Sequence, residues 1–315
     1  MYNAFFGLKE NPFNLSPDPS FLYRSVQHEE ALANLIYGVQ SRKGFIVLSG
    51  EVGTGKSTML ECLRGFLSAQ RVEFAYVFNS RLTVDQFFEM VAYDFSLDCD
   101  RTSKTEVLFA LNEFLVHRNY SGVTTALIVD EAQNLEWEVL EEIRLLGNAD
   151  MHHEKLLQIV LSGQPELLDV MNGPALSALK QRIAARAHLR PLSQKETRLY
   201  VTERLQAARL EGNSPFSMPA IEAVHHHSGG VPRLINLVCE GCLSLGFRTQ
   251  RPTIQADMVE EVSVSLGLVQ SVPIPERKAA PSEAASSVAV GQKSAVDILI
   301  ESMKRNRAVA RGANQ

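Results

Sequence analysis

The sequence predicts an α/β protein, a parallel sheet with helices on both faces, followed by a small all-helical domain. Three observations carry this. Apolar runs at 45–49, 74–79, 125–129 and 156–161 alternate with segments of helical spacing, the pattern that builds parallel sheets. The first run leads directly into Gly50-Glu51-Val52-Gly53-Thr54-Gly55-Lys56-Ser57-Thr58, glycine-rich at a strand-to-helix junction. From Ser193 onward the strands stop and helical patterns follow one another to Ser265.

The first 44 of the 315 residues read as an entry strap and a helix. Asn11-Pro12-Phe13 and Ser16-Pro17-Asp18-Pro19-Ser20 are turn and extended chemistry, because proline lacks a backbone donor and biases its predecessor away from the helix. Between His28 and Gln40 the residues Ala31, Leu32, Leu35, Ile36 and Val39 recur at helical spacing. The partly aromatic strap is placed either to cover a bound base or simply to pack on the domain.

Residues 45–191 are the expected αβα core. Glycines in the 50–58 loop let successive N–H groups point inward, and the following helix adds partial positive charge at its N-terminus. A polyphosphate is then held by main chain. Lys56 is expected to reach the β and γ phosphates, and the Ser57 hydroxyl to ligate Mg²⁺. A glycine-rich turn without a ligand is the plain alternative, and the complete motif with its correct flanks weighs against it.

After a helix to about Leu67 and the second strand, Thr83-Val84-Asp85-Gln86 is a capping-box pattern that opens a helix. Asp98 to Ser103 is a polar loop, and Glu106 to His117 carries Val107, Leu108, Leu111 and Leu115 at helical spacing. The second decisive stretch is Ala126-Leu127-Ile128-Val129-Asp130-Glu131-Ala132-Gln133. A buried strand running into two acids delivers carboxylates at its C-terminal end, where parallel sheets bind ligands. Asp130 is expected to orient Mg²⁺ or a water bound to it, and Glu131 to act as general base on the attacking water. Two solvated acids at a strand end are the alternative if the pair is taken alone.

Glu136 to Leu146 is helical, and 151–155 is a polar loop in which His152 and His153 are read as solvent-facing rather than metal-binding. The next strand ends at Gly163-Gln164-Pro165-Glu166, where the Gln164 amide is placed to sense the γ-phosphate and the attacking water. A turn-forming Gly-Gln-Pro is the alternative there. Leu176 to Ile183 reads as a helix, and Gln181 to Arg190 leads into a short last strand. Arginines before such a strand lie at a subunit edge in ring-forming ATPases, so Arg182 and Arg186 are candidates to complete a neighbour's site. An ordinary surface salt bridge is the competing reading for each.

Residues 192–267 form the expected helical lid, opened by a second capping box at Ser193-Gln194-Lys195-Glu196. In Gly229-Gly230-Val231-Pro232-Arg233 the glycines end one helix and proline begins the next. Arg233, in that first turn, is placed to couple the lid to the γ-phosphate. Cys239 and Cys242 have a CxxC spacing inside a helical pattern, without the other ligands of a closed zinc site, and are read as buried thiols. Residues 268–315 begin as a Pro-, Ala- and Ser-rich linker, expected to be disordered. They end with Val296, Leu299, Ile300 and Met303 at helical spacing before Lys304, Arg305, Arg307 and Arg311. That amphipathic basic stretch suits a partner or an anionic membrane surface.

Composition excludes several classes. The net charge of −5 combines an acidic body with a tail that, from Ser271, has seven Lys/Arg against four Asp/Glu. An acidic body is a poor footprint for sequence-independent DNA binding. No run approaches the roughly 18 apolar residues of a membrane span, and the start lacks the basic and apolar regions of a secretory signal. Four cysteines without framework spacing suit a reducing cytoplasm.

Together, Phe6-Gly7-Leu8-Lys9-Glu10-Asn11-Pro12-Phe13, the 50–57 loop, Val129 to Leu135, Gly163 to Leu167 and Gly230 to Asn236 resemble the AAA+ ATPases of the general secretion pathway ExeA/GspA type. The resemblance covers about residues 1–267. It implies a P-loop NTPase using ATP and Mg²⁺, with an αβα core, a helical lid and homo-oligomerisation. Better-known members add a membrane span and a peptidoglycan-binding domain, so this chain is expected to be a stand-alone form. Similar stand-alone forms occur in exopolysaccharide and exosortase gene neighbourhoods. The expected role is ATP-driven assembly or remodelling of a bacterial secretion or polysaccharide-export system with a protein partner, from the cytoplasm or peripherally at the inner membrane. A nucleotide-dependent DNA-binding switch of the transposition-regulator type is the alternative.

Overall fold

The computed structural model describes residues 2–16, 18, 21–78, 81–151, 154–173 and 176–268. The described residues divide into two compact units, one within 18–191 and one joining 2–16 to 192–268.

In the core unit α1 (Val26–Gln40) precedes β1 (Phe45–Gly50), which feeds α2 (Lys56–Ser68) and then β2 (Val72–Val77). Helices α3 (Val84–Asp94) and α4 (Lys104–Tyr120) lead to β3 (Thr124–Val129), followed by α5 (Trp137–Leu146). Two short antiparallel strands, β4 (Asp150–Met151) and β5 (Glu154–Lys155), take the place of the loop expected there; His152 and His153 lie outside the described residues. Then come β6 (Leu157–Gly163), α6 (Pro165–Asn172), α7 (Ser177–Lys180) and β7 (Ile183–Leu189).

The main sheet is five-stranded in the order β2-β3-β6-β1-β7, and every pairing is parallel. Burial explains why some strands read clearly in the sequence. Every residue of β1 and β6 is buried, as expected of central strands covered on both faces. Val47, Leu127, Val129, Ile159 and Leu161 pack with Phe87, Val91, Leu111, Val139 and Ile143 of α3, α4 and α5. On the other face Ile46 lies against α1, so close that a Cβ on Gly38 would sit 2.4 Å from its side chain. The edge strand β7 instead alternates exposed and covered residues. It also shortens the helix expected over 176–183: α7 ends at Lys180, because Ile183 pairs with Phe45 of β1 and joins the sheet.

The other unit holds α8 (Gln194–Ala207), α9 (Met218–Ser228), α10 (Pro232–Arg248) and α11 (Ala256–Ser265). The predicted capping boxes at Thr83/Gln86 and Ser193/Glu196 are both formed. The strap packs here: Phe6, Leu8 and Phe13 are buried, and the Phe13 ring meets Phe216 edge-on at 5.9 Å. Arg204, on α8, donates to the carbonyls of Pro12 at 2.5 Å and Asn14 at 3.4 Å and to the Tyr200 hydroxyl at 2.8 Å. Tyr200 in turn donates to Asn236 Oδ1 at 2.8 Å. Gly230 carries a positive φ of 76°, and a Cβ there would fall 1.9 Å from the Leu192 carbonyl, so only glycine fits. Cys239 and Cys242 are buried in α10, and burial pushes the Cys242 thiol up to about 12. The expected linker and basic amphipathic stretch after 268 lie outside the described residues.

Candidate active site

The strand order places three C-terminal strand ends side by side: β3, β6 and β1. From β1 the chain enters the loop, with Gly50 and Thr54 buried, Glu51 and Val52 exposed, and Ser57 and Thr58 half-buried in the first turn of α2. Gly55 is the N-cap of α2 at φ 106° and offers no side-chain cap. That conformation is open to glycine and strained for other residues, and it leaves the first N–H groups of α2 for an outside acceptor. Thr54 braces the loop through its hydroxyl, which donates to the Glu51 carbonyl at 2.8 Å.

Lys56 is 5% exposed and folds back over the loop. Its Nζ donates to the Gly50 carbonyl at 2.7 Å and the Glu51 carbonyl at 3.0 Å. Burial holds its pKa below the ordinary lysine value, while the carboxylates of Glu131, Asp130, Glu51 and Glu166 pull the other way. A buried ammonium at a glycine loop suits a polyphosphate, whose charge relieves that desolvation cost.

Asp130 is buried at the end of β3, and its carboxylate is held on several sides. Oδ1 accepts from the Ser162 hydroxyl at 2.8 Å and from the Glu131 amide at 2.9 Å. Oδ2 accepts from the Tyr76 hydroxyl at 3.2 Å. Burial and this carboxylate raise the Tyr76 pKa, so the phenol keeps its proton and stays a donor. Glu131 follows in a left-handed conformation, φ 52° and ψ 36°, unusual for a non-glycine residue and a device for aiming a side chain. Its Oε2 accepts from Gln133 Nε2 at 2.7 Å and Gln164 Nε2 at 3.4 Å. Gln133 Oε1 accepts from the Gln164 amide at 3.0 Å, so one glutamine links the ends of β3 and β6. Lys56, Asp130, Glu131 and Gln164 are therefore gathered at one end of the sheet.

A family model described as an AAA domain matches residues 39–171. The chain is 44% identical over 248 residues to General secretion pathway protein A of Aeromonas hydrophila, covering 78% of this chain and 45% of that protein. The chain thus carries an AAA domain over residues 39–171 and is similar over most of its length to General secretion pathway protein A. A second match is an uncharacterised HTH-type transcriptional regulator of Methanocaldococcus jannaschii, 26% identical over 145 residues, 45% of this chain and 35% of that one. The chain spans less than half the length of the curated relatives it matches. Cdc6p of Pyrobaculum aerophilum aligns at TM-score 0.68 and 19% identity over 82% of this chain and 71% of its own. The ORC2 protein of Aeropyrum pernix, in ADPNP and ADP complexes, aligns at TM-score 0.61 and 16% identity over 81% and 71%. These two likenesses show the fold.

Three further candidates, all arginines, stand on elements other than β1, β3 and β6 and the loops that follow them. Arg182 precedes β7 and donates to the Arg144 carbonyl at 3.1 Å and to the Asn148 side chain. Arg186 lies within β7, not before it, and is exposed. Arg233 is exposed in the first turn of α10, in the helical unit. Among the described residues no group of three or more His, Cys, Asp or Glu is arranged to hold a metal, and no helix is long and apolar enough to cross a membrane. Sequence reasoning missed Tyr76, Ser162 and Gln133. The first two depend on strand register, but Gln133 was signalled by its place two residues after Glu131.

Proposed function

We propose that this chain is a Mg²⁺-dependent ATPase whose cycle drives assembly or remodelling of a bacterial secretion or polysaccharide-export system. It works as a homo-oligomer on a protein partner, in the cytoplasm or peripherally at the inner membrane. One observation carries the reading: the buried Lys56 ammonium, held at the glycine loop, lies within the field of both Asp130 and Glu131. A phosphate-binding cation, a metal-type carboxylate and a base then share one site.

The donor set fits the group. Ser57 offers a hydroxyl and Asp130 a buried carboxylate, hard oxygen ligands of the few that Mg²⁺ takes from protein when phosphates supply others. Ser57 and Asp130 would hold Mg²⁺, which would supply neutralisation of the charge that develops on the phosphates. Lys56 exchanges its loop carbonyls for β and γ phosphate oxygens, and the loop N–H groups from Gly50 to Thr58 cradle the chain of phosphates. Because two amides donate to Glu131 Oε2, Oε1 is left to take the proton of an attacking water. Gln164, joined to Glu131 and at the end of β6, reports occupancy of the γ position. Arg233 couples the helical unit to the nucleotide state, and Arg186 or Arg182 completes the neighbouring subunit's site. Arg182 is the more committed to its own chain, through Arg144 and Asn148.

Mg²⁺-dependent phosphate release, measured with and without DNA at low and high salt, tests the reading. The expected result is turnover indifferent to DNA. Strong stimulation by DNA that is lost at high salt would replace the secretion client with nucleic acid. Mixing an Arg186 or Arg182 variant with Glu131→Gln tests action in trans: activity above that of either alone is expected, and none recovered would count against a shared site.

A further inference from the structure

Beside the loop lies a buried histidine to which the proposed chemistry gives no part. His28, in the first turn of α1, is 6% exposed. Its Nδ1 lies 2.6 Å from Ser25 Oγ, the helix N-cap, and its Nε2 lies 3.3 Å from the Thr54 carbonyl oxygen of the loop. The carbonyl only accepts, so Nε2 carries the hydrogen of the bond. Nδ1 then accepts from the Ser25 hydroxyl, which in turn accepts from the His28 amide at 3.3 Å. One tautomer of the neutral ring satisfies every atom of this relay.

The first turn of α1 is anchored as well. Gln27 Nε2 donates to the Arg190 carbonyl at 3.0 Å, and the Arg190 amide donates back to Gln27 Oε1 at 3.1 Å. Arg24 pairs with Glu29 at 2.8 Å. The histidine therefore presses on the loop from a fixed base. It also comes within 3.3 Å of where a Cβ of Gly55 would stand.

Peptide planarity carries the effect into the loop. In a trans peptide the carbonyl of Thr54 and the N–H of Gly55 point in opposite directions. Gly55, at φ 106°, has no side chain to fix the orientation of that peptide. We propose that His28 is a positioning residue for phosphate binding: by holding the Thr54 carbonyl toward α1, it turns the Gly55 N–H away from α1 and into the phosphate cradle before ligand arrives. The proposal rests on the phosphate-binding reading of the loop. It differs from a role of the entry segment in covering the base, because it concerns phosphates alone.

Calorimetric titration of the full chain with ATP and with inorganic tripolyphosphate, both with Mg²⁺, tests it. In His28→Leu, which keeps bulk and removes the donor, both ligands should weaken equally, by about tenfold for one hydrogen bond. His28→Gln, which restores an N–H donor, should recover most of the loss on both. Weakening toward ATP but not tripolyphosphate would assign His28 to the base and overturn the proposal. Unchanged affinity in a folded His28→Leu variant would make it a satisfied core histidine and overturn it too. If His28→Leu does not fold, Ser25→Ala keeps the ring and removes the hydroxyl at Nδ1. A smaller, equal loss on both ligands is expected of it, and no loss overturns the proposal. A folded wild-type chain that binds neither ligand overturns instead the loop reading on which His28 depends.

Discussion

Lys56 in the core unit and Arg204 in the helical unit are both buried cations, 5% and 8% exposed, and their surroundings differ in kind. Arg204 is consumed by structure. Its guanidinium ties the Pro12 and Asn14 carbonyls to Tyr200 and so anchors the strap within the helical unit. Lys56 holds only two carbonyls of its own loop, at the mouth of a site with several carboxylates, and burial lowers its pKa. The contrast separates a buried charge spent on structure from one left for the proposed phosphate site. Arg204 spreads its hydrogen bonds over distant chain segments, whereas Lys56 is held locally, by the loop that precedes it.

The comparison breaks if the two cations respond alike to removal. Lys56→Ala is expected to weaken ATP by about a hundredfold or more, as for loss of a charged hydrogen-bond pair worth about 3 kcal/mol. Its melting temperature should hold or rise, because a desolvated ammonium is gone. Titration and a thermal melt on one sample check both. Glu131→Gln should retain ATP affinity while turnover falls by about 10²–10⁴-fold, the usual range for a general base; phosphate release measures it. Arg204→Ala should destabilise the helical unit by about 2 kcal/mol and open the 2–16 strap to hydrogen exchange. An unchanged exchange rate there would remove Arg204 as the anchor.

The smallest effect concerns pH and compares the units again. His188 in the core unit and His225 in the helical unit both lie below the ordinary histidine value of 6.5, chiefly because the sheet and helices strip water from part of each ring even though His188 keeps an exposed side, helped by Arg190 for the first and His226 for the second. Below 6.5 the unfolded chain takes up protons before the folded one does. Stability therefore rises with pH from the lowered folded values up to 6.5 and levels off above it. Replacing either histidine by glutamine should flatten its share of that slope in melts taken between pH 5 and pH 7, roughly the range of histidine titration.

Local signals were legible in the sequence and long-range ones were not. The 50–58 loop and the Asp130-Glu131 strand end could be read because strand, glycine and helix follow one another without interruption. The two capping boxes form for the same reason. Tyr76 and Ser162 reach Asp130 only because β2 and β6 flank β3, and no run of sequence states that order. The edge strand β7 mixes exposed Arg186 and His188 with buried Ala187 and Leu189, so its first residue, Ile183, reads as the end of a helix by spacing, and pairing with Phe45 of β1 claims it. The strap is first in the chain, yet its Phe13 packs on Phe216, two hundred residues later.

The central claim is that the site at the ends of β1, β3 and β6 cleaves ATP, with Glu131 as base. The direct measurement loads wild type and Glu131→Gln with labelled ATP and Mg²⁺, then identifies the nucleotide that stays bound. The account predicts ADP on the wild-type chain and uncleaved ATP on the variant. ADP appearing on both at the same rate, or intact ATP on both, would contradict it.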